Sequence, residues 1–194
     1  QTEALNSLLN KKAFSLAFDG WTFLDKSRKY VIGGWFGGTR VEGISEAILG
    51  LQNSPMHYYQ RPDAAHVEVD PYATSLSGWG GRLSFAKEGG NMLCLVSVGA
   101  LSPGFDPNDA GFQYSGSDII NFQILPGYSW TKPGRIFQQI ILAGGVFRNY
   151  DFGGNKTWDG AMAFAEGLFR NFWRFSFMAA VNPVTTSNRL TRGG

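Results

Sequence analysis

The sequence predicts an all-β protein: an antiparallel, up-and-down transmembrane β-barrel, or a segment of one, of about eight strands, with one long external loop holding a short helix. Three observations predict it. Apolar and polar residues alternate with a period of two through successive stretches, the pattern of a sheet with one apolar face. Those stretches run to about ten residues or more, against the ~5 to 6 usual in soluble sheets. The connections between them alternate between short and long, so one edge of the sheet collects the tight turns and the other the long loops.

Composition narrows the field. At 194 residues the chain is long enough for one ordinary domain without small-scaffold staples. Its single cysteine, Cys94, excludes an intrachain disulfide and a cysteine-based zinc site. A net charge of +2, with no basic run tracking an aromatic platform, argues against nucleic acid as a partner. Charged residues make up 16% of the chain, low beside the ~25% typical of soluble domains, while glycine (26) and aromatic residues (15%) are abundant. That mixture suits broad ring-covered faces joined by tight turns. No stretch approaches the ~18 to 20 consecutive apolar residues of a membrane helix.

In residues 13–22, Phe14, Leu16 and Phe18 alternate with Ser15, Ala17 and Asp19, giving a first strand with one apolar side. A polar turn at 25–28 leads to a second strand over residues 30–41, glycine-rich at Gly33, Gly34, Gly37 and Gly38, where another backbone comes close. Its facing is ambiguous. A connection of more than thirty residues follows, in which Ser45-Glu-Ala-Ile-Leu opens a short helix with Ser45 as its cap. The third strand, from residue 75 to 85 or 86, is the most regular: Trp79, Leu83 and Phe85 take one parity, Gly78, Gly80, Arg82 and Ser84 the other. After a turn at 87–91 comes the continuous apolar run 92–101, then a second long connection, 102–111, rich in turn formers. The remaining strands are expected at about 113–125, 135–148 and 158–169, with the last after Arg170-Asn171, where Trp173, Phe175 and Phe177 alternate with Arg174, Ser176 and Met178.

Short turns on one edge and long loops on the other are how barrels of the outer-membrane type are built. Tyr128, Trp130, Trp158 and Trp173 lie near strand ends, where an aromatic girdle sits. A soluble β-sandwich or jelly roll, such as a carbohydrate-binding module, also alternates apolar and polar residues. The two readings differ in what the rings meet: hydrocarbon in the first, each other across two stacked layers in the second.

Chemistry-bearing residues are sparse, and no catalytic constellation, cofactor or metal site is assigned. The long loop offers Tyr58, Tyr59, Arg61, Asp63, His66 and Asp70 to a ligand. His66, Glu68 and Asp70 alternate, which in an extended segment puts them on one side with Asp63 nearby, but neither His57 nor His66 has a helix-type metal spacing and a solvated loop is the expected reading. In the soluble alternative Tyr58, Tyr59 and Trp79 stack on sugar rings with Asp63 and Asp70 as paired carboxylates. Asp106, Asn108 and Asp109 are expected to stabilise turns through side-chain to backbone hydrogen bonds. Cys94 reads as a small buried or lipid-facing residue. Arg82, Glu166 and Arg174 sit mid-strand opposite the rings, the lumen face of a barrel, where they either line a solute path or form a static interior network.

Five ordered motifs carry a resemblance: Tyr58-Tyr-Gln-Arg-Pro-Asp63, Ser75-Leu-Ser-Gly-Trp-Gly-Gly81, Ser102-Pro-Gly-Phe105, Tyr150-Asp-Phe-Gly-Gly-Asn155 and Thr191-Arg-Gly-Gly194. Together they resemble a family of bacterial outer-membrane proteins in which a family-9 carbohydrate-binding-like module precedes a large β-barrel domain of unknown function. The resemblance implies a barrel, a location in the bacterial outer membrane and a glycan as the ligand; it brings no established reaction. This chain lacks the amino-terminal module and stops at the Arg-Gly-Gly motif, where relatives continue. Residues 1–12 hold too few apolar residues for a signal-peptide core, and both termini fall on the long-loop edge, whereas barrels of this type start and finish inside. The expectation is therefore a single barrel segment, residues 1–194, incomplete at both ends. Its partners are the lipid bilayer, a glycan, and other chains or further strands of the same protein.

Overall fold

The computed structural model describes residues 9–62, 64–108, 111, 113 and 116–183. Eight strands form one antiparallel sheet in strict sequence order: β1 (Lys12–Phe23), β2 (Tyr30–Glu42), β3 (Ser75–Lys87), β4 (Met92–Leu101), β5 (Ile119–Trp130), β6 (Phe137–Tyr150), β7 (Lys156–Phe169) and β8 (Arg174–Val181). The helix α1 (Ser45–Gln52) lies in the connection between β2 and β3. The sheet is open: β1 and β8 are its two edges and do not pair with each other. No helix among the described residues is long and apolar enough to cross a membrane.

Local chemistry explains the tight turns. Between β1 and β2, the Asp25 carboxylate accepts from the backbone N–H groups of Ser27, Lys29 and Tyr30 and from the Ser27 hydroxyl. The turns at 88–91 and 151–155 each place a glycine, Gly90 and Gly154, at positive φ, where a side chain would be strained. The long connections, 43–74 and 102–118, and the ends of the described chain share the opposite edge from the turns at 24–29, 88–91, 131–136 and 170–173.

The register settles the facing of every strand, because residues opposed across a ladder project to the same side. Phe18 opposes Phe36, Ile32 opposes Phe85, and Gly34 opposes Leu83. Leu83 opposes Val98, Val98 opposes Phe122, and Val96 opposes Ile124. Ile124 continues to Val146, Val146 to Ala161, and Ala161 to Val181. One face of the sheet is thus apolar from edge to edge. Its charged members, Lys12, Arg40, Glu42, Lys87, Arg148 and Asp159, all fall within a few residues of a strand end. Two pairs among them are joined as ion pairs, Arg40 to Glu42 at 2.7 Å and Arg148 to Asp159 at 3.3 Å. The other face carries Asp19, Arg82, Ser97, Asn121, Gln123, Glu166 and Arg174 among small and apolar residues.

The rings of the apolar face are uncovered. Leu16, Phe18, Leu83, Val146 and Phe177 are each more than half exposed. The described residues form one sheet, not two stacked layers, so these side chains do not meet one another in a core. The buried apolar cluster is small and lies at the long-loop edge, where Ile48 of α1 packs on Val41 and Leu76, a pair facing each other on the polar side of the sheet.

Several boundaries differ from the expectation: β6 lies two residues later, β7 begins two residues earlier, and β8 begins at Arg174, leaving out Trp173. Ser45 is the first residue of α1 rather than its cap; Ile44 takes the cap position and supplies no side-chain hydrogen bond. β5 begins at Ile119 instead of near 113, because the backbone just before it is drawn into the loops: Ser117 N–H donates to Met56 O at 3.0 Å, and Asp118 has a φ of 63°. β5 also runs on through Pro126 to Trp130, taking in Tyr128 and Trp130 that were expected beyond its end. Pro126, which has no N–H, and Leu125 have no partner in the β5–β6 ladder, so the missing donor interrupts the pairing without ending the strand.

Candidate functional site

The long-loop edge is covered by a folded cap. Its foundation is the segment after β4, which lies directly on β3: Ser102 N–H donates to Trp79 O at 2.8 Å, and Trp79 N–H donates to the Ser102 hydroxyl at 2.7 Å. A Cβ on Gly78 would overlap the backbone of Gly104 and Phe105, which is why this position of the polar face carries no side chain. Asp106 N–H then donates to the Thr39 hydroxyl at 2.9 Å, anchoring the segment to β2 as well. From the other side, the Gln52 side chain donates to Asp70 O at 3.0 Å and accepts from Asp70 N–H at 2.8 Å, closing the excursion 53–69 onto α1.

Two buried polar networks hold the cap together. In the first, His57 Nδ1 lies 2.7 Å from Pro103 O and Nε2 lies 3.2 Å from Asp106 Oδ2, with the Ser117 hydroxyl 3.0 Å from Nδ1. Serine, histidine and aspartate in sequence suggest a nucleophile and its base, but the geometry does otherwise. A carbonyl oxygen 2.7 Å from Nδ1 requires the proton on that nitrogen, so Nδ1 has no lone pair to take one from Ser117. Ser117 is fully buried and donates its own proton to Phe105 O at 2.9 Å. The trio is a structural clamp joining 53–57, 102–106 and 117.

Burial raises the Asp106 pKa, but the hydrogen bonds from His57 and from the backbone and side chain of Asn108 outweigh it and hold the carboxyl below its ordinary value. A carboxylate with a depressed folded pKa contributes stability that is complete above its unfolded value and is lost as pH falls through the folded one. Amide protection of residues 102–108 is therefore expected to persist at about pH 5 and to disappear only in stronger acid than an ordinary aspartate requires. Hydrogen exchange against pH checks this, and Asp106→Asn should flatten the acid limb.

The second network centres on Asp118. Its carboxylate accepts from Arg61 Nη2 at 2.6 Å, from His66 Nε2 at 2.9 Å, and from Phe152 N–H at 2.9 Å, so the connections 43–74 and 151–155 both converge on a side chain of the third, 102–118. Arg61 and Asp118 side chains are each 2% exposed. His66 Nδ1 is buried and has no partner among the described residues. Burial, and then the charge of Asp118, push the Tyr59 hydroxyl up to about 12, so it stays a neutral phenol.

Of the loop residues singled out in the sequence, Arg61 and His66 are brought together on Asp118, and Tyr59 stands near them. Asp70 does not join them: its carboxylate accepts from Tyr72 N–H at 2.9 Å. Glu68 is exposed, and the segment is turn and coil rather than an extended run, so the alternation of His66, Glu68 and Asp70 does not gather them. Tyr58 holds a turn with a φ of 50°. Trp79 projects from the ring face, packed on Phe36 and Phe152, and forms no cleft with Tyr58 and Tyr59. Asp63, Asp109 and the Thr191 to Gly194 motif lie outside the described residues. Asp106 and Asn108 take the expected turn role, Asn108 N–H donating to Asp106 Oδ1 at 3.0 Å. Cys94 is half-buried on the ring face, opposite Pro126.

On the polar face, Arg82, Glu166 and Arg174 fall on the side opposite the rings, as their parity requires. Arg82 is part of a ladder across four strands: its Nη2 donates to Ser97 Oγ at 3.0 Å and Asn121 Oδ1 at 3.3 Å, and Asn121 Nδ2 donates to Asn149 Oδ1 at 2.6 Å. Glu166 and Arg174 lie toward the tight-turn edge around a cavity of about 80 Å³, and no ion pair joins them among the described residues. Asp118, Ser97, Asn121 and Asn149 were not singled out as site residues from the sequence, although Asn121 shows there as a polar alternate to Ile120 and Phe122.

No protein-family model matches the chain, and no curated protein or solved structure matches it.

Proposed function

We propose that the chain is a β-barrel protein, or a segment of one, of the bacterial outer membrane, with its ring face in lipid and its capped edge outside. The observation that carries this is the apolar face that crosses all eight strands with charge only at its margins and its large side chains uncovered. Eight strands about 4.8 Å apart make that face roughly 35 to 40 Å wide, far beyond the isolated apolar patches soluble monomers expose. Strands of 10 to 14 residues in β1 to β7 match the ~9 to 11 a tilted strand needs to cross hydrocarbon.

In lipid the unpaired backbone groups of β1 and β8 would cost several kcal/mol each, so both edges pair in the membrane, with each other or with further strands. The cap, tied down by Asp118 and His57, presents the long loops to the exterior, where Tyr58 and Asp70 belong to the ligand-facing region, while Arg61 and His66 hold that region in shape through Asp118. Glycan is the ligand class that the five motifs bring through the family resemblance. Solute passage along the polar face or anchoring at the surface are the two outcomes.

Fractionation with bilayer readout tests the reading. Expressed in a Gram-negative host, the protein should pellet with outer membranes and stay in solution only with detergent. In vesicles its tryptophan fluorescence should be quenched by lipids brominated along the acyl chain. Monodisperse protein in plain buffer, unquenched by brominated lipid, overturns it.

A further inference from the structure

We propose that Arg82 is an anion-binding residue, taking the carboxylate or phosphate oxygens of a small water-soluble solute at the middle of the polar face. The inference rests on the reading that this face, and not the ring face, meets water.

Arg82 stands midway along β3, opposite Trp35 on β2 and Gly99 on β4. The side chain lies toward β4, its Cγ at ordinary contact distance, 3.5 Å, from where a Cβ of Gly99 would be. The guanidinium reaches toward β5: Ser97 on β4 and Asn121 on β5 both accept from the same nitrogen, Nη2. Asn121 is oriented in turn by Asn149, which is buried. The guanidinium is therefore held through one nitrogen by two neutral side chains, with Asn149 behind Asn121, while Nε and Nη1 make no hydrogen bond and no carboxylate forms an ion pair with the charge among the described residues. Arg82 is exposed, so its charge stands open to solvent, whereas the buried Arg61 is neutralised by Asp118.

A charge that is positioned but not compensated suits an anion, because the free Nε–H and Nη1–H groups, on different edges of the guanidinium, can each donate a charge-assisted hydrogen bond to a carboxylate or phosphate oxygen. The indole of Trp35 beside it, 36% exposed, adds an apolar wall for the carbon skeleton of the solute.

The test is direct binding to the folded protein in detergent micelles or nanodiscs, by calorimetry and ligand-observed NMR, with three probes: glucuronate for a carboxylate, inorganic phosphate, and glucose as the neutral partner of glucuronate. At least one anion should bind and glucose should not. Arg82→Gln should weaken the anion at least tenfold, and Arg82→Lys less, because an ammonium keeps the charge but loses the hold of Ser97 and Asn121 on a planar group. Asn121→Asp, which sets a carboxylate against Nη2, should abolish binding with the arginine still present, and it serves if Arg82→Gln fails to fold. The relative affinities of glucuronate and phosphate identify the anion class. Undiminished binding to Arg82→Gln or Asn121→Asp overturns the proposal, as does the absence of binding by both anions to the wild-type chain. Should the protein prove soluble without detergent, the same titrations in buffer still decide the matter, so failure of the membrane reading and failure of this site are separate results.

Discussion

Leu83→Arg should cost the membrane-inserted protein about 2 to 4 kcal/mol, the penalty of an arginine held at the hydrocarbon midplane of a barrel. Leu83 is central in β3, opposes Gly34 on one side and Val98 on the other, and is 55% exposed. That exposure gives the experiment opposite signs under the two readings. On a soluble sheet, exchanging a half-exposed leucine for arginine changes stability by no more than about 0.5 kcal/mol. In lipid, the same change strands a charge among Val98, Phe85 and Phe122 with no partner within the face. Gln123→Arg, on β5 and the opposite side of the sheet, supplies the control: a charge there meets water or its neighbours and should leave folding nearly unchanged. Urea titration of the protein folded into thin-bilayer vesicles, read by heat-modifiable gel mobility, measures both. Equal, small effects of the two substitutions would remove the lipid from the ring face.

The facing that this experiment exploits was legible before any coordinates, because a strand writes its two sides into alternate residues. Trp79, Leu83 and Phe85 and, five strands away, Phe175 and Phe177 fall on the same side once the register is drawn, as their parity alone suggested. The ambiguous second strand became readable only through its neighbours: Gly34 and Gly37 face close backbone of β3 and β1, where even a methyl group has no room. What alternation cannot show is which distant groups meet. Asp118 is 57 residues from Arg61 and 52 from His66, and nothing local in Ser117-Asp118 marks it as the place where three loops join. The start of β5 was misplaced for the same reason, since Ser117, just before it, gives its N–H to Met56 O in the cap. Ser45, a good cap by type, was displaced by one residue because the chain enters α1 from an extended Ile44.

Asp118→Ala should open the cap while leaving the sheet paired, at a cost of about 3 to 5 kcal/mol, because it strands the buried guanidinium of Arg61 without its counter-charge. The loss reaches further than one ion pair. Phe152 N–H and His66 Nε2 lose their acceptor together with Arg61, so the connections 53–69 and 151–155 are released at the same moment. The strands below keep their own ladders, and the two losses should therefore separate in hydrogen exchange: protection collapses in 53–70 and 151–155 and persists in β3 to β7. Glu68→Ala, an exposed carboxylate of the same loop, should do neither. The decisive comparison is the double variant Arg61→Met/Asp118→Leu. Apolar side chains of similar volume remove both charges at once, and if the single variant fails through an uncompensated charge, the double variant should recover much of the lost protection. If it recovers none, the network acts through the Phe152 and His66 hydrogen bonds that both variants lack, and Asp118 is a three-way hydrogen-bond acceptor first and a counter-ion second.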